Sequence, residues 1–311
     1  MAEDRKYIQG LDEYICQGEP QEQERGRAWQ TAIGLQEVDG LKTSPYLLET
    51  ALRHIEGDIT IGEAKQLIDS FYKSQAGRKE IEGERTEEAD KVSARITELL
   101  QEQTFNFLPA QLTSIHRRLF EGVYKFAGCI RDYNNTKRER VLQGETVYYA
   151  SADTMSETLN YDMGQERNYS FEGRSIDEAI SHLTRFCANH WQIHAFGEGN
   201  PCSTAVFMIK YLKKLGFKVT NDLFATHSWC FRNVLVRANY SNLQEGITET
   251  TVFLERFFRN MLLGETTPLR NRDMHLDWKS ENRHPKCKKR FSKCKDVCSK
   301  CKSCTFTTFK V

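Results

Sequence analysis

Within seven positions the chain places a histidine, a carboxylate and a turn of small residues: His194-Ala195-Phe196-Gly197-Glu198-Gly199-Asn200. An imidazole with its ordinary pKa of about 6.5 can take a proton from a hydroxyl near neutral pH. The oxygens of Glu198 suit a hard divalent cation such as Mg²⁺. Gly199 and Asn200 tolerate positive φ, so the backbone can turn sharply and aim several N–H groups at one point, while Phe196 anchors the loop in the core. Those are the parts of a site that handles phosphate.

Such parts need elements to hold them. Pro201 suits the first turn of a helix, and residues 203–212 read as an apolar helix. Its N-terminus, with unpaired amides and the positive end of the macrodipole, is where phosphate is expected. The 311 residues carry a net charge of +1, with 39% hydrophobic and 28% charged content. That length allows one large core or a domain with appendages, and the charge gives no global pull toward nucleic acid or anionic membrane. No stretch approaches 18 consecutive apolar residues and the first residues open no secretory segment, so the simplest reading is a cytoplasmic protein with no membrane partner. Six prolines and long runs at helical spacing argue for an all-α fold. His116, Arg117 and Arg118 read as packing and solvated surface.

The stretch resembles the signature of the Fic (Fic/Doc) family, H-x-F-x-[D/E]-G-N-G-R-x-x-R: His194, Phe196, Glu198, Gly199 and Asn200 fill its first five specific positions. The resemblance implies a helical bundle and Mg²⁺-dependent transfer of AMP from ATP, or of another nucleoside monophosphate, to a hydroxyl of a target protein. His194 is then the general base and Glu198 the magnesium ligand. Gly197, Glu198, Gly199 and Asn200 then contact the nucleotide.

The sequence departs from the signature where phosphate charge is met. Pro201, Cys202 and Ala205 stand in place of the third glycine and the two arginines. A guanidinium offers phosphate a permanently charged fork that a thiol cannot replace. Weaker binding of the β- and γ-phosphates is expected, leaving three readings: a slow enzyme, an enzyme for a different donor, or a catalytically impaired Fic-fold module that binds a nucleotide or a peptide strand without transfer.

Other segments extend the resemblance. Residues 34–41 are similar to the inhibitory helix of an antitoxin-like domain fused ahead of some Fic enzymes, as in toxin–antitoxin pairs. Asp39-Gly40 fits the end of that pattern, but Leu35 stands where a hydroxyl belongs and the acid's expected arginine partner is Ala205. Residues 139–150 carry β-branched and aromatic residues around a Gln-Gly turn, which reads as a short β-hairpin. By resemblance it is a target-docking flap, with Gly144 at its turn and Val147 and Tyr148 on its edge, and the partner is an extended segment bearing an exposed Ser, Thr or Tyr. Residues 229–239 resemble the helix whose aromatic and asparagine contact adenosine, which nominates Phe231 and Asn239.

Cysteine usage splits the chain. Cys287, Cys294, Cys298, Cys301 and Cys304 crowd the end among lysines and arginines. Four thiolates there can close a tetrahedral Zn²⁺ site on a basic patch for nucleic acid; with so few core-forming residues the tail can equally be disordered and reduced. The expected organisation is a leader at 1–27, an antitoxin-like helical domain at 28–74, a linker at 75–85, a Fic catalytic domain at 86–266 and a basic Cys-rich tail at 267–311.

Overall fold

A computed structural model describes residues 11–74, 85–219 and 222–276. The linker expected at 75–85 lies almost wholly outside the described residues, as do the five tail cysteines. The described part is helical, as the periodicity predicts. The leader contributes α1 (Pro20–Glu37), α2 (Pro45–Glu56) and α3 (Ile61–Lys73); the body contributes α4 (Thr86–Gln101), α5 (Pro109–Phe120), α6 (Met155–Asn168), α7 (Ile176–Ile193), α8 (Asn200–Lys214), α9 (Asp222–Thr226), α10 (Ser228–Ala238) and α11 (Val252–Leu263).

Local chemistry sets several of these boundaries. Proline occupies the first turn of α1, α2, α5 and α8, where its missing N–H has no partner to lose. Capping boxes start α3, through Thr60 and Glu63, and α7, through Ser175 and Glu178.

The helix α1 has two apolar faces. Ala28, Ala32, Leu35 and Val38 join the large core of the body, while Trp29 enters a smaller cluster with Leu47, Leu48, Ala51, Ile55, Ala64, Ile68 and Tyr72. Residue 28, the expected domain start, therefore falls inside a continuous helix. The smaller cluster is stitched to α4 by Asp90, whose carboxylate accepts from the Ser44 backbone and hydroxyl and from the Tyr72 hydroxyl.

The hairpin expected over 139–150 is corrected by the structure. The chain does reverse at Gln143-Gly144, both at positive φ. It does so through a 3-10 turn at Arg140–Leu142, closed by Gly144 N–H donating to the Glu139 carbonyl and Glu139 N–H to that of Glu145. No strand forms among the described residues. Val141, Leu142 and Val147 are all buried, so the alternation reflects anchoring rather than a two-faced ribbon. Acceptors a ladder would use are taken elsewhere: the Tyr148 carbonyl by Gln192 and the Ala150 carbonyl by Arg131.

Candidate active site

The loop 194–200 joins the end of α7 to the start of α8. His194 closes α7 in the left-handed region, at φ 52° and ψ 55°, a conformation that costs a non-glycine residue about 1 kcal/mol or more and needs support. Arg131 supplies that support. Its backbone N–H donates to the Ala195 carbonyl at 2.9 Å. Its guanidinium donates to the carbonyls of His194 at 2.7 Å, Tyr133 at 2.6 Å, Ile193 at 3.4 Å and Ala150.

His116 holds the other side of the loop. Gly128 N–H donates to its Nδ1 at 2.8 Å, so the proton sits on Nε2, which donates to the Glu198 carbonyl at 3.0 Å. Its ring stacks on Phe196 at 3.8 Å, and burial depresses its pKa to about 4. The residue expected to be mere packing thus fastens the motif. Gly199 is required twice over: its φ is +73°, and a Cβ there would lie 2.3 Å from the ring of Phe120.

The imidazole of His194 is enclosed. His194 is 2% exposed and neither ring nitrogen has a hydrogen-bond partner among the described residues. Tyr149 stacks on the imidazole at 3.9 Å and Trp191 meets it edge-on. Burial pushes the imidazole pKa well down, reinforced by Lys137, Arg131 and Arg232, so the ring is neutral. Burial also raises the Tyr149 phenol, whose hydroxyl has no hydrogen-bond partner among the described residues.

Glu198 is placed at the mouth, its side chain 52% exposed and paired with Lys137 at 2.6 Å. Asn200 is buried, and its amide is bound into the loop: Oδ1 accepts from Phe196 N–H at 3.0 Å and Nδ2 donates to the Phe196 carbonyl at 2.7 Å. Gly197 accepts from Asn135 through its carbonyl. The structure thus brings His194, Gly197, Glu198, Gly199 and Asn200 together ahead of α8.

Two nominated adenosine contacts are used otherwise. Phe231 lies in the core between Phe224 and Phe257. Asn239 donates to the carbonyls of Ala188 and Leu235 at 3.0 Å, tying α10 to α7. Of the flap residues, Gly144 sits in the turn at φ 95°, Val147 is buried and Tyr148 is 84% exposed.

A guanidinium is present after all, from α10 rather than from the signature. Arg232 forms a two-pronged pair with buried Glu139, at 3.2 and 3.1 Å, and meets Asp39 of the leader at 3.1 Å. Asp39 also lies 3.9 Å from the sulfur of Cys202, whose thiol points at the Leu35 carbonyl. Burial raises the Asp39 carboxyl and Arg232 opposes it; the buried Cys202 thiol is pushed far up and stays protonated. The leader acid that lacks its expected partner has found another.

Sequence reasoning assigns no role to Arg131, Lys137, Tyr149 or Arg232. Arg131 sits in an irregular stretch with no period, and Lys137 belongs to a charge run that reads as surface. Arg232 did carry a signal, as a cation within an otherwise apolar turn of α10.

Residues 106–212, which span α5 to most of α8 and include the whole loop, match the model of the Fic/DOC family. The match covers about a third of the chain and marks this segment as similar to Fic/DOC proteins. No curated protein and no solved structure matches the chain. No described helix is long and apolar enough to cross a membrane.

Proposed function

We propose that the chain transfers a nucleoside monophosphate, AMP in the first instance, from a nucleoside triphosphate to a hydroxyl of a target protein in the cytoplasm. The observation that carries this reading is the neutral, unpartnered imidazole of His194 held beside Glu198 and the N-terminus of α8, within the segment of Fic type. The target hydroxyl gives its proton to a ring nitrogen of His194 as its oxygen bonds to the α-phosphorus, and pyrophosphate leaves with the electron pair of the broken P–O bond. Backbone N–H groups at the start of α8 face the negative charge.

Glu198 fits Mg²⁺ in the usual manner for this ion, one carboxylate with the remaining positions left to phosphates and water. When bound, Mg²⁺ neutralises phosphate charge. Arg232 is the guanidinium that fits the β- and γ-phosphates once Asp39 withdraws, and Tyr149 must swing aside before a hydroxyl reaches His194.

Intact-mass spectrometry after incubation with Mg²⁺, each nucleoside triphosphate and a mixture of candidate proteins tests the reading. His194→Ala should abolish labelling while nucleotide binding stays, since losing a general base costs about 10²–10⁴ in rate. Equal labelling by both proteins would overturn the assignment.

Pro201, Cys202, Ala205 and the engaged Arg232 favour a second reading, a module that binds nucleotide or a peptide strand without transfer. Calorimetric binding of ATP with no mass change under any donor would select it.

A further inference from the structure

Tyr149 is shared between His194 and a neighbouring cavity. This cavity, about 380 Å³ in volume, opens between α6, α7 and the segment 148–151, and its lining includes Tyr148, Tyr149, Tyr161, Asp162, Asn189 and Gln192. The residues that line it carry one carboxylate and no lysine or arginine. Asp162 Oδ2 is buried without a hydrogen bond and lies 3.4 Å from Nδ1 of His190. Three phenol rings stand around it, and two of them, Tyr148 and Tyr161, are 84% and 70% exposed. Arg131 reaches Ala150 on the same segment, but it donates to main-chain carbonyls there.

An anion would meet a carboxylate and electron-rich ring faces with no opposing charge. A purely apolar group would strip water from Asp162 and leave its carboxylate facing the His190 imidazole at 3.4 Å with no hydrogen bond among the described residues, which is costly. A cation satisfies both features: the faces of tyrosine rings attract it through their quadrupoles, and the carboxylate completes the charge.

We propose that this cavity is a specificity subsite for a basic side chain, arginine or lysine, of the protein whose hydroxyl is presented to His194. The proposal rests on the transfer reading for the identity of the ligand, though not for its charge. Tyr149, in contact with both, ties entry of the basic side chain to uncovering of the base.

The test uses the full chain labelled with 3-fluorotyrosine, with neither nucleotide nor Mg²⁺. Nα-acetyl-arginine methylamide and its norleucine and glutamate counterparts are titrated and followed by ¹⁹F NMR, with Tyr148 and Tyr161 assigned by Phe substitution. The arginine compound should move both signals and bind about tenfold tighter than the norleucine one, as a partly desolvated cation–π and carboxylate pair predicts. Asp162→Asn and Tyr161→Ala should each cut that preference to about threefold or less. Tyr161→Ala changes an exposed side chain and keeps the test sound if Asp162→Asn fails to fold. Equal affinity for the three compounds, preference for glutamate, or an arginine preference that survives both variants would overturn the subsite. Arginine selectivity without protein labelling in the mass experiment would sink transfer and keep the cation site; labelling without selectivity would do the reverse.

Discussion

At the scale of single residues, the site sets an imidazole whose nitrogens are unpartnered among the described residues beside charged groups that are engaged with one another. Arg232 faces a carboxylate from the leader and another from the turn at 139–145, so its charge is committed within the fold. Removing the leader's share should free Nη1 of its ion pair, while Nε and Nη2 stay on Glu139. Asp39→Asn is expected to raise ATP affinity by about tenfold, the lower end of what one charge-assisted contact to phosphate contributes, and Arg232→Ala should remove the gain when combined with it. Calorimetric titration of the wild type and both variants checks this. Unchanged affinity in Asp39→Asn would mean that Arg232 does not reach phosphate.

Among the helices and their connections, the strap formed by Arg131 decides where the base points. One side chain gathers carbonyls from His194, Ile193, Tyr133 and Ala150, so Arg131→Met leaves several acceptors without a donor. A loss of about 2–4 kcal/mol in stability by denaturant unfolding is expected. At permissive temperature the maximal transfer rate should fall while nucleotide affinity holds, because α8 and Glu198 keep their places. A drop in affinity with an unchanged rate would contradict the strap's role.

This is also where sequence and structure part. The helices were legible, because their apolar spacing, prolines and capping boxes are local signals. So was the loop, through its resemblance to the Fic signature and the family match over the same residues. The turn at 139–150 was misread as a hairpin because buried anchors such as Val141 and Val147 mimic strand alternation. Phe231 was misread because an aromatic on a helix looks alike whether it meets a ligand or the core. Arg232 and Asp39 lie 193 residues apart, and no local pattern encodes such a pairing.

For the molecule as a whole, buried histidines set the response to acid, His54 and His116 among them. His54 accepts from the indole N–H of Trp29 at 2.9 Å and has its pKa depressed to about 4 by burial and Arg25; His116 is depressed to about 4 by burial. A base with a lowered folded pKa contributes stability that is complete above its unfolded value, near 6.5, and is lost as pH falls toward 4. For His116 this is about 3 kcal/mol. Asp90 runs the other way: burial raises its pKa to about 6, so its contribution is complete at low pH and lost as pH rises through about 6. His194 and His227 are shifted down as well, and Asp39 up with Asp90, so four depressed histidines stand against two raised carboxyls; the melting temperature should fall between pH 6.5 and 4, and His116→Asn should flatten that slope. A thermal melt series across the range decides it, and a rising temperature on acidification would refute the assignment.

The two apolar faces of α1 bear on how the protein can be switched on. A chain whose inhibitory segment merely rests on the surface can be activated by clipping that segment off. Here the helix that leads into Asp39 is also a wall of the large core, through Ala28, Ala32 and Leu35, with Val38 just past its end. Cutting away residues 1–40 should therefore yield aggregated protein rather than a hyperactive enzyme, as light scattering of the truncated chain beside a monodisperse Asp39→Asn would reveal. On the transfer reading, relief of Asp39 then comes from a local rearrangement at one carboxylate rather than from removal of α1.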